Sequence, residues 1–210
     1  MGAKAALLSF AGKPPRFDLL GYPRSDAEQA RALVEASYPG KLIVGETETD
    51  LDEAIWPPVG TACAGVFGDV AVLTGRDLSH GRPSDLTPLV TVLAPTAQAY
   101  AVLMESTVDW YEFAVWDRSR LTRSFSASAG DGVIEDVGEP LPFEWPEATP
   151  IERANEALRA YWGFVQEGRW ERDGLDPEEL RLSKFIFADT RARQDALREL
   201  TDELFQVQPD

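Results

Sequence analysis

Apolar and polar positions alternate with a period of two most clearly between Tyr111 and Ala127, in two arms that meet across residues 117–120. On the first arm Tyr111, Phe113 and Val115 share one side, and Glu112, Ala114 and Trp116 share the other. On the second arm Leu121, Arg123 and Phe125 alternate with Thr122, Ser124 and Ser126. Successive strand side chains point to opposite faces, so the pattern predicts an antiparallel pair with one apolar face on both arms. A turn at Ala129-Gly130-Asp131-Gly132 and a strand over 133–137 follow, and Gly138, Pro140, Pro142 and Pro146 end the sheet region.

Upstream, residues 4–10 form a short apolar run closed by Gly12 and Pro14-Pro15, which predicts a strand in the sheet interior. Ser25, with Glu28 three residues later, has the form of a capping box, and Ala27, Ala30, Val34 and Tyr38 share a helical face that stops at Pro39-Gly40. A strand is expected over 41–47, and an acidic surface loop over 46–58 ending in Trp56-Pro57-Pro58. Residues 61–67 and 70–74 read as strands around a Gly68-Asp69 turn, 76–88 as loop, 89–94 as a short helix or a strand, and 99–104 as a strand.

The best amphipathic helix spans 151–166, with Thr149 as cap, Pro150 in the first position, Glu152 in the third, and Ile151, Ala154, Leu158, Tyr161, Trp162 and Val165 on one stripe. A helical turn is expected at 176–179, a last strand over 185–187, and a polar helix over 190–205 whose narrow stripe is Ala196, Leu197, Leu200 and Leu204. The order β-α-β, then consecutive strands, then helices, predicts an α+β fold: a largely antiparallel sheet with helices packed on one face. Residues 1–189 are expected to form a single domain, with the C-terminal helix and tail over 190–210 packed on it.

Charge narrows the partners. With 36 acids against 20 bases the formal net charge is −16, which repels nucleic-acid phosphates and anionic lipid head groups, so neither nucleic acid nor membrane is an expected partner. Hydrophobic residues make up 44% of the chain, enough for a well-buried core. The single cysteine, Cys63, lies in the apolar run 61–67 and has no intrachain partner. No signal-peptide pattern opens the chain and no stretch approaches the roughly 20 apolar residues of a membrane span, so a cytoplasmic protein is expected.

Several blocks carry a family likeness: the opening Met1-Gly2-Ala3-Lys4, Val108-Asp109-Trp110 with Phe113-Ala114-Val115-Trp116, Arg123-Ser124-Phe125-Ser126, and GVIEDVGEPLPFE from Gly132 to Glu144. Together they resemble an uncharacterised actinobacterial family of unknown function, and the similarity extends through Ala157-Leu158-Arg159 and Gly163-Phe164 to about residue 189. The resemblance implies a bacterial housekeeping or accessory protein and brings no reaction, cofactor or catalytic residue with it. The chain departs from the pattern at Ala5, where Thr is expected, at Glu105, where His is usual, and at Asp117-Arg118-Ser119, where the turn is expected as Asp-Gly. An insertion expected after Phe143-Glu144 is mostly missing, and the helix after residue 189 is an addition.

Few constellations of reactive residues stand out. One cysteine and one histidine, His80, cannot assemble the three or four nitrogen and sulfur ligands of a zinc site, so no metal is expected. His80 beside Ser79 and Asp77 is no nucleophile and base, because sequence neighbours do not make a triad. Neither a phosphate loop nor a dinucleotide fingerprint stands between strand and helix, and no cofactor is expected. Glu46, Glu48, Asp50, Asp52 and Glu53 offer oxygen atoms to a hard cation but lack calcium-loop spacing, and a solvated acidic loop is the simpler reading. Glu135 and Asp136 are strand neighbours and point to opposite faces.

The candidate binding surface combines Asp109 and Trp110 with the donor-rich Arg123, Ser124, Ser126 and Ser128, which suit a carboxylate or phosphate. Three functions stay open. The first is a non-catalytic binding protein that contacts a protein partner or a second copy through the 190–205 helix. The others are a hydrolase-type enzyme using carboxylates and hydroxyls, and an acidic immunity-type inhibitor of a basic toxin.

Overall fold

The protein is seen in a computed structural model that describes residues 4–19, 24–79, 81–145, 147–165, 169–170 and 176–188. Its strands are β1 (Lys4–Ala11), β2 (Ile43–Asp50), β3 (Thr61–Phe67), β4 (Val70–Thr74), β5 (Gln98–Glu105), β6 (Trp110–Asp117), β7 (Arg120–Ser128), β8 (Gly132–Val137), β9 (Phe164–Val165), β10 (Arg169–Trp170) and β11 (Arg181–Phe187). The helices are α1 (Pro15–Asp18), α2 (Ala27–Ser37), α3 (Leu51–Ala54), α4 (Thr87–Leu93) and α5 (Pro150–Trp162). Nine strands form one sheet in the order β2-β11-β3-β4-β1-β5-β6-β7-β8, and every neighbouring pair is antiparallel. This is the α+β class with the antiparallel sheet that the sequence pattern predicts.

Central β1 is apolar on both sides. Ala5, Leu7 and Ala11 enter one core, which α5 covers with Ala154, Ala157, Leu158, Tyr161 and Trp162. Ala6, Leu8 and Phe10 enter the other, covered by Ala30 and Val34 of α2 and Val90 of α4. A strand with two dry sides needs a cover on each, so the helices occupy both faces where a single face was expected. Residues 190–205, with the expected contact stripe of Ala196, Leu197, Leu200 and Leu204, lie outside the described residues.

Local chemistry moves several boundaries. Asp26 caps α2 by accepting the Gln29 N–H at 3.0 Å, whereas the Ser25 hydroxyl, the expected cap, accepts the Val66 N–H at 2.8 Å and ties the helix entry to β3. The expected acidic loop divides: Glu46 to Asp50 complete β2 against β11, and Asp50 caps α3 by accepting the Glu53 N–H at 2.9 Å. Thr149 and Glu152 make the expected capping box of α5, but the helix stops at Gly163, which adopts φ +77°, and does not reach 166. Residues 89–93 are helical, in α4, and Ala94 is its C-cap. The last strand is longer than expected and lies inside the sheet, because pairing with β2 and β3 recruits Arg181 to Lys184 as well as Phe185 to Phe187.

Candidate functional site

The meander β5-β6-β7-β8 sets a polar row on the face covered by α2 and α4. In the strand register Leu103 stands opposite Glu112, Glu112 opposite Ser126, and Ser126 opposite Glu135. The apolar surface of Leu103, Ala114 and Trp116 thus gives way across β6, β7 and β8 to two carboxyls with hydroxyls between them.

Residues 76–79 and 81–86 roof this row. Two short 3₁₀ turns, Arg76–Leu78 and Pro83–Leu86, carry the chain across it on the way to α4, where the Trp116 indole N–H donates to the Thr87 hydroxyl at 3.0 Å. The Ser126 hydroxyl donates to the Gly81 carbonyl at 2.7 Å. Glu135 clamps the second turn: it accepts the Ser84 N–H at 3.0 Å and the Ser84 hydroxyl at 2.5 Å, and it also accepts the Ser124 hydroxyl. Those bonds hold the Glu135 side chain at the amino end of the turn and satisfy its first N–H.

Glu112 has the opposite environment. It is fully buried, and neither carboxyl oxygen has a hydrogen-bond partner among the described residues; the Ser79 hydroxyl beside it is buried and unpartnered too. Burial pushes its pKa up to about 8, and the negative charges of Glu135 and Asp85 push the same way. The Gly81 N–H and Ser79 hydroxyl oppose that shift from nearby but complete no hydrogen bond. At neutral pH the carboxyl is therefore mostly protonated, a condition typical of functional carboxyls.

The expected binding residues do not form one surface. Ser124 and Ser126 are buried in the acid row, while Arg123 points to the opposite face, as strand alternation requires. There Arg123 is 1% exposed and donates to both Glu144 oxygens, at 2.7 and 2.5 Å, to Asp136 at 2.6 Å and to the Val137 carbonyl at 2.9 Å. Its guanidinium lies near both the Phe113 and Phe125 rings, whose centroids are 5.8 and 5.7 Å away. The arginine is spent on anchoring the exit segment to the sheet. Asp109 sits in a left-handed turn, φ 49°, where it accepts the Tyr111 hydroxyl at 3.1 Å; it is about six strand residues, roughly 20 Å, from Arg123 along the sheet.

Other candidates are also dispersed. Glu46 pairs with Arg31 at 2.6 Å, and Asp50 is occupied as a cap. His80 lies outside the described residues. Cys63 is fully buried, and desolvation raises its thiol to about 11, which leaves it unreactive. An open groove of about 380 Å³ lies between the start of α2 and strands β2 and β11, lined by Arg24, Ser25, Glu46, Glu48, Arg181 and Ser183 among others. Its charges are partly neutralised within the chain, by Arg31 on Glu46 and by Asp50 3.7 Å from Arg181.

The profile of a family of unknown function, DUF6928, matches residues 5–147, more than half of the chain and all of the acid row with its roof. The chain belongs to the DUF6928 family. No curated protein and no solved structure matches it. Among the described residues no group of three or more His, Cys, Asp and Glu is placed to hold a metal ion, and no helix is long and apolar enough to cross a membrane. Glu112 is the residue that sequence reasoning missed. Its signal was present, a lone acid on the strand side shared by Ala114 and Trp116, but the roof that buries it comes from a segment about thirty positions earlier.

Proposed function

We propose that this DUF6928 protein acts by binding, without catalysis, and that the row of Glu112, Ser126 and Glu135 beneath residues 76–86 is its ligand site. Glu112 carries the proposal: a buried carboxyl with both oxygens unpartnered has hydrogen-bonding and charge capacity left for a ligand, and leaving such a group unsatisfied costs about 1–3 kcal/mol. The matching ligand supplies positive charge or hydrogen-bond donors. Thermal-shift measurements with magnesium, guanidinium and spermidine on the wild type and on Glu112→Gln test this. A stabilising ligand whose effect disappears in the variant is expected; the same shift in both proteins excludes the site.

The actinobacterial source and cytoplasmic location belong to the same proposal, supported by the sequence blocks from 108 to 144, and so does a protein partner or second copy, supported by the Ala196, Leu197, Leu200 and Leu204 stripe in the sequence of 190–205. A net charge of −16 also supports an immunity-type contact with a basic protein, for which association should weaken steeply with salt.

A hydrolase-type reading draws support from Glu112, whose pKa of about 8 suits proton transfer near neutrality, beside the free Ser79 hydroxyl. Ester turnover lost in Glu112→Gln would favour it over binding alone.

A further inference from the structure

We infer that Glu112 and Glu135 form a site for one hard divalent cation of the magnesium, calcium or manganese class. This inference rests on the binding proposal and names the ligand. The two acids lie on β6 and β8 and flank Ser126 of the intervening β7 on one face, so their side chains project under the same roof. Glu112 is 0% exposed and offers two unpartnered oxygens, and the buried Ser79 hydroxyl offers a third. Glu135 keeps lone-pair capacity beyond the bonds it accepts from Ser84 and Ser124, since a carboxylate has about four acceptor sites.

Every donor in this set is oxygen, which suits hard cations and disfavours zinc or copper. Binding the cation displaces the proton of Glu112 to solvent; two carboxylates then balance one divalent charge, and in a buried site uncompensated charge is costly. An organic cation would need volume and an opening, whereas Glu112 has no exposed surface. With only two acids in the set, hydroxyl oxygen and water complete the coordination, as is usual for magnesium. Entry requires the roof to lift by breaking the Ser126–Gly81 and Glu135–Ser84 bonds, so a bound ion should also hold the roof down.

The test is calorimetric titration of chelator-stripped protein with calcium, magnesium and manganese at about 150 mM salt, where diffuse attraction by the acidic surface is screened. Manganese-induced broadening of amide NMR signals locates the ion. One saturable site is expected, with broadening strongest at Gly81 and Ser126. Affinity should fall at least tenfold in Glu112→Gln and in Glu135→Gln and stay unchanged in the exposed-site control Glu28→Gln. Glu112→Gln leaves the other hydrogen bonds of the cluster in place, so it keeps the test decisive if Glu135→Gln fails to fold. Binding unaltered by Glu112→Gln, or absent for all three ions, overturns the inference. If those ions fail while guanidinium or spermidine stabilises the wild type and not Glu112→Gln, the cation inference falls and the binding proposal survives; if nothing stabilises, both fall.

Discussion

Glu112 on β6 and Glu135 on β8 stand on either side of Ser126 on β7, yet among the described residues Glu135 accepts three hydrogen bonds and Glu112 accepts none. The same roof that satisfies one acid isolates the other. The sheet alone would treat them alike; the path of residues 76–86 makes them different.

A pH dependence follows for metal-free protein. The folded pKa of Glu112, about 8, lies above the ordinary carboxyl value, so the folded state holds a proton that the unfolded state has released. The stability associated with this group is complete below the unfolded pKa of about 4.3 and declines as pH rises toward 8, by up to about 1.4 kcal/mol per pH unit. Glu112→Gln removes the decline. Urea denaturation of both proteins between pH 5 and 8 should give a stability difference that widens with pH; parallel profiles would exclude a proton held at Glu112.

Removing the clamp should free the roof. Glu135→Ala strands the Ser84 N–H and two hydroxyls, for a loss of about 2 kcal/mol. Hydrogen exchange should accelerate at 81–86 more than in β1. Uniform acceleration across the sheet would show that Glu135 supports the fold generally and not the roof.

On the opposite face, Arg123 and Glu144 are each about 1% exposed at the side chain and make a bidentate pair. Arg123→Met leaves the buried Glu144 carboxylate only the Leu141 N–H at 2.8 Å and the more distant Arg153 at 3.8 Å, and should cost about 3 kcal/mol. Asp136 is half exposed, so Asp136→Asn should cost under about 1 kcal/mol. Chemical denaturation of the two variants checks that order; equal losses would contradict the burial argument.

Gly138 permits the turn that brings the exit segment back to Arg123. It adopts φ +84°, and a Cβ there would lie 2.1 Å from the Thr122 carbonyl oxygen. Gly138→Ala should destabilise by roughly 1–3 kcal/mol from the backbone conformation alone, before the clash is counted. An unchanged melting temperature would mean that this turn relaxes freely.

The strands of the meander were legible because their apolar alternation is local. Tyr111, Phe113 and Val115 against Glu112, Ala114 and Trp116 define two sides whatever the rest of the chain does. β11 was only partly legible: Arg181 and Lys184 interrupt its pattern, and pairing with β2 and β3 on both sides decides its length. The binding residues were misgrouped where composition outweighed periodicity, since Arg123 and Ser124 are both polar but occupy opposite faces. Glu112 stayed hidden because burial of an acid depends on a distant segment, and no local pattern encodes the Ser84–Glu135 or Gly81–Ser126 contacts.

The most direct measurement is a crystal structure of the protein grown with manganese, with anomalous scattering used to locate the ion. A single strong peak is expected between the carboxyl groups of Glu112 and Glu135, within about 2.0–2.6 Å of their oxygens, the range for hard-cation ligands. Peaks confined to exposed acids, with Glu112 still unpartnered beneath an unchanged roof, would contradict it.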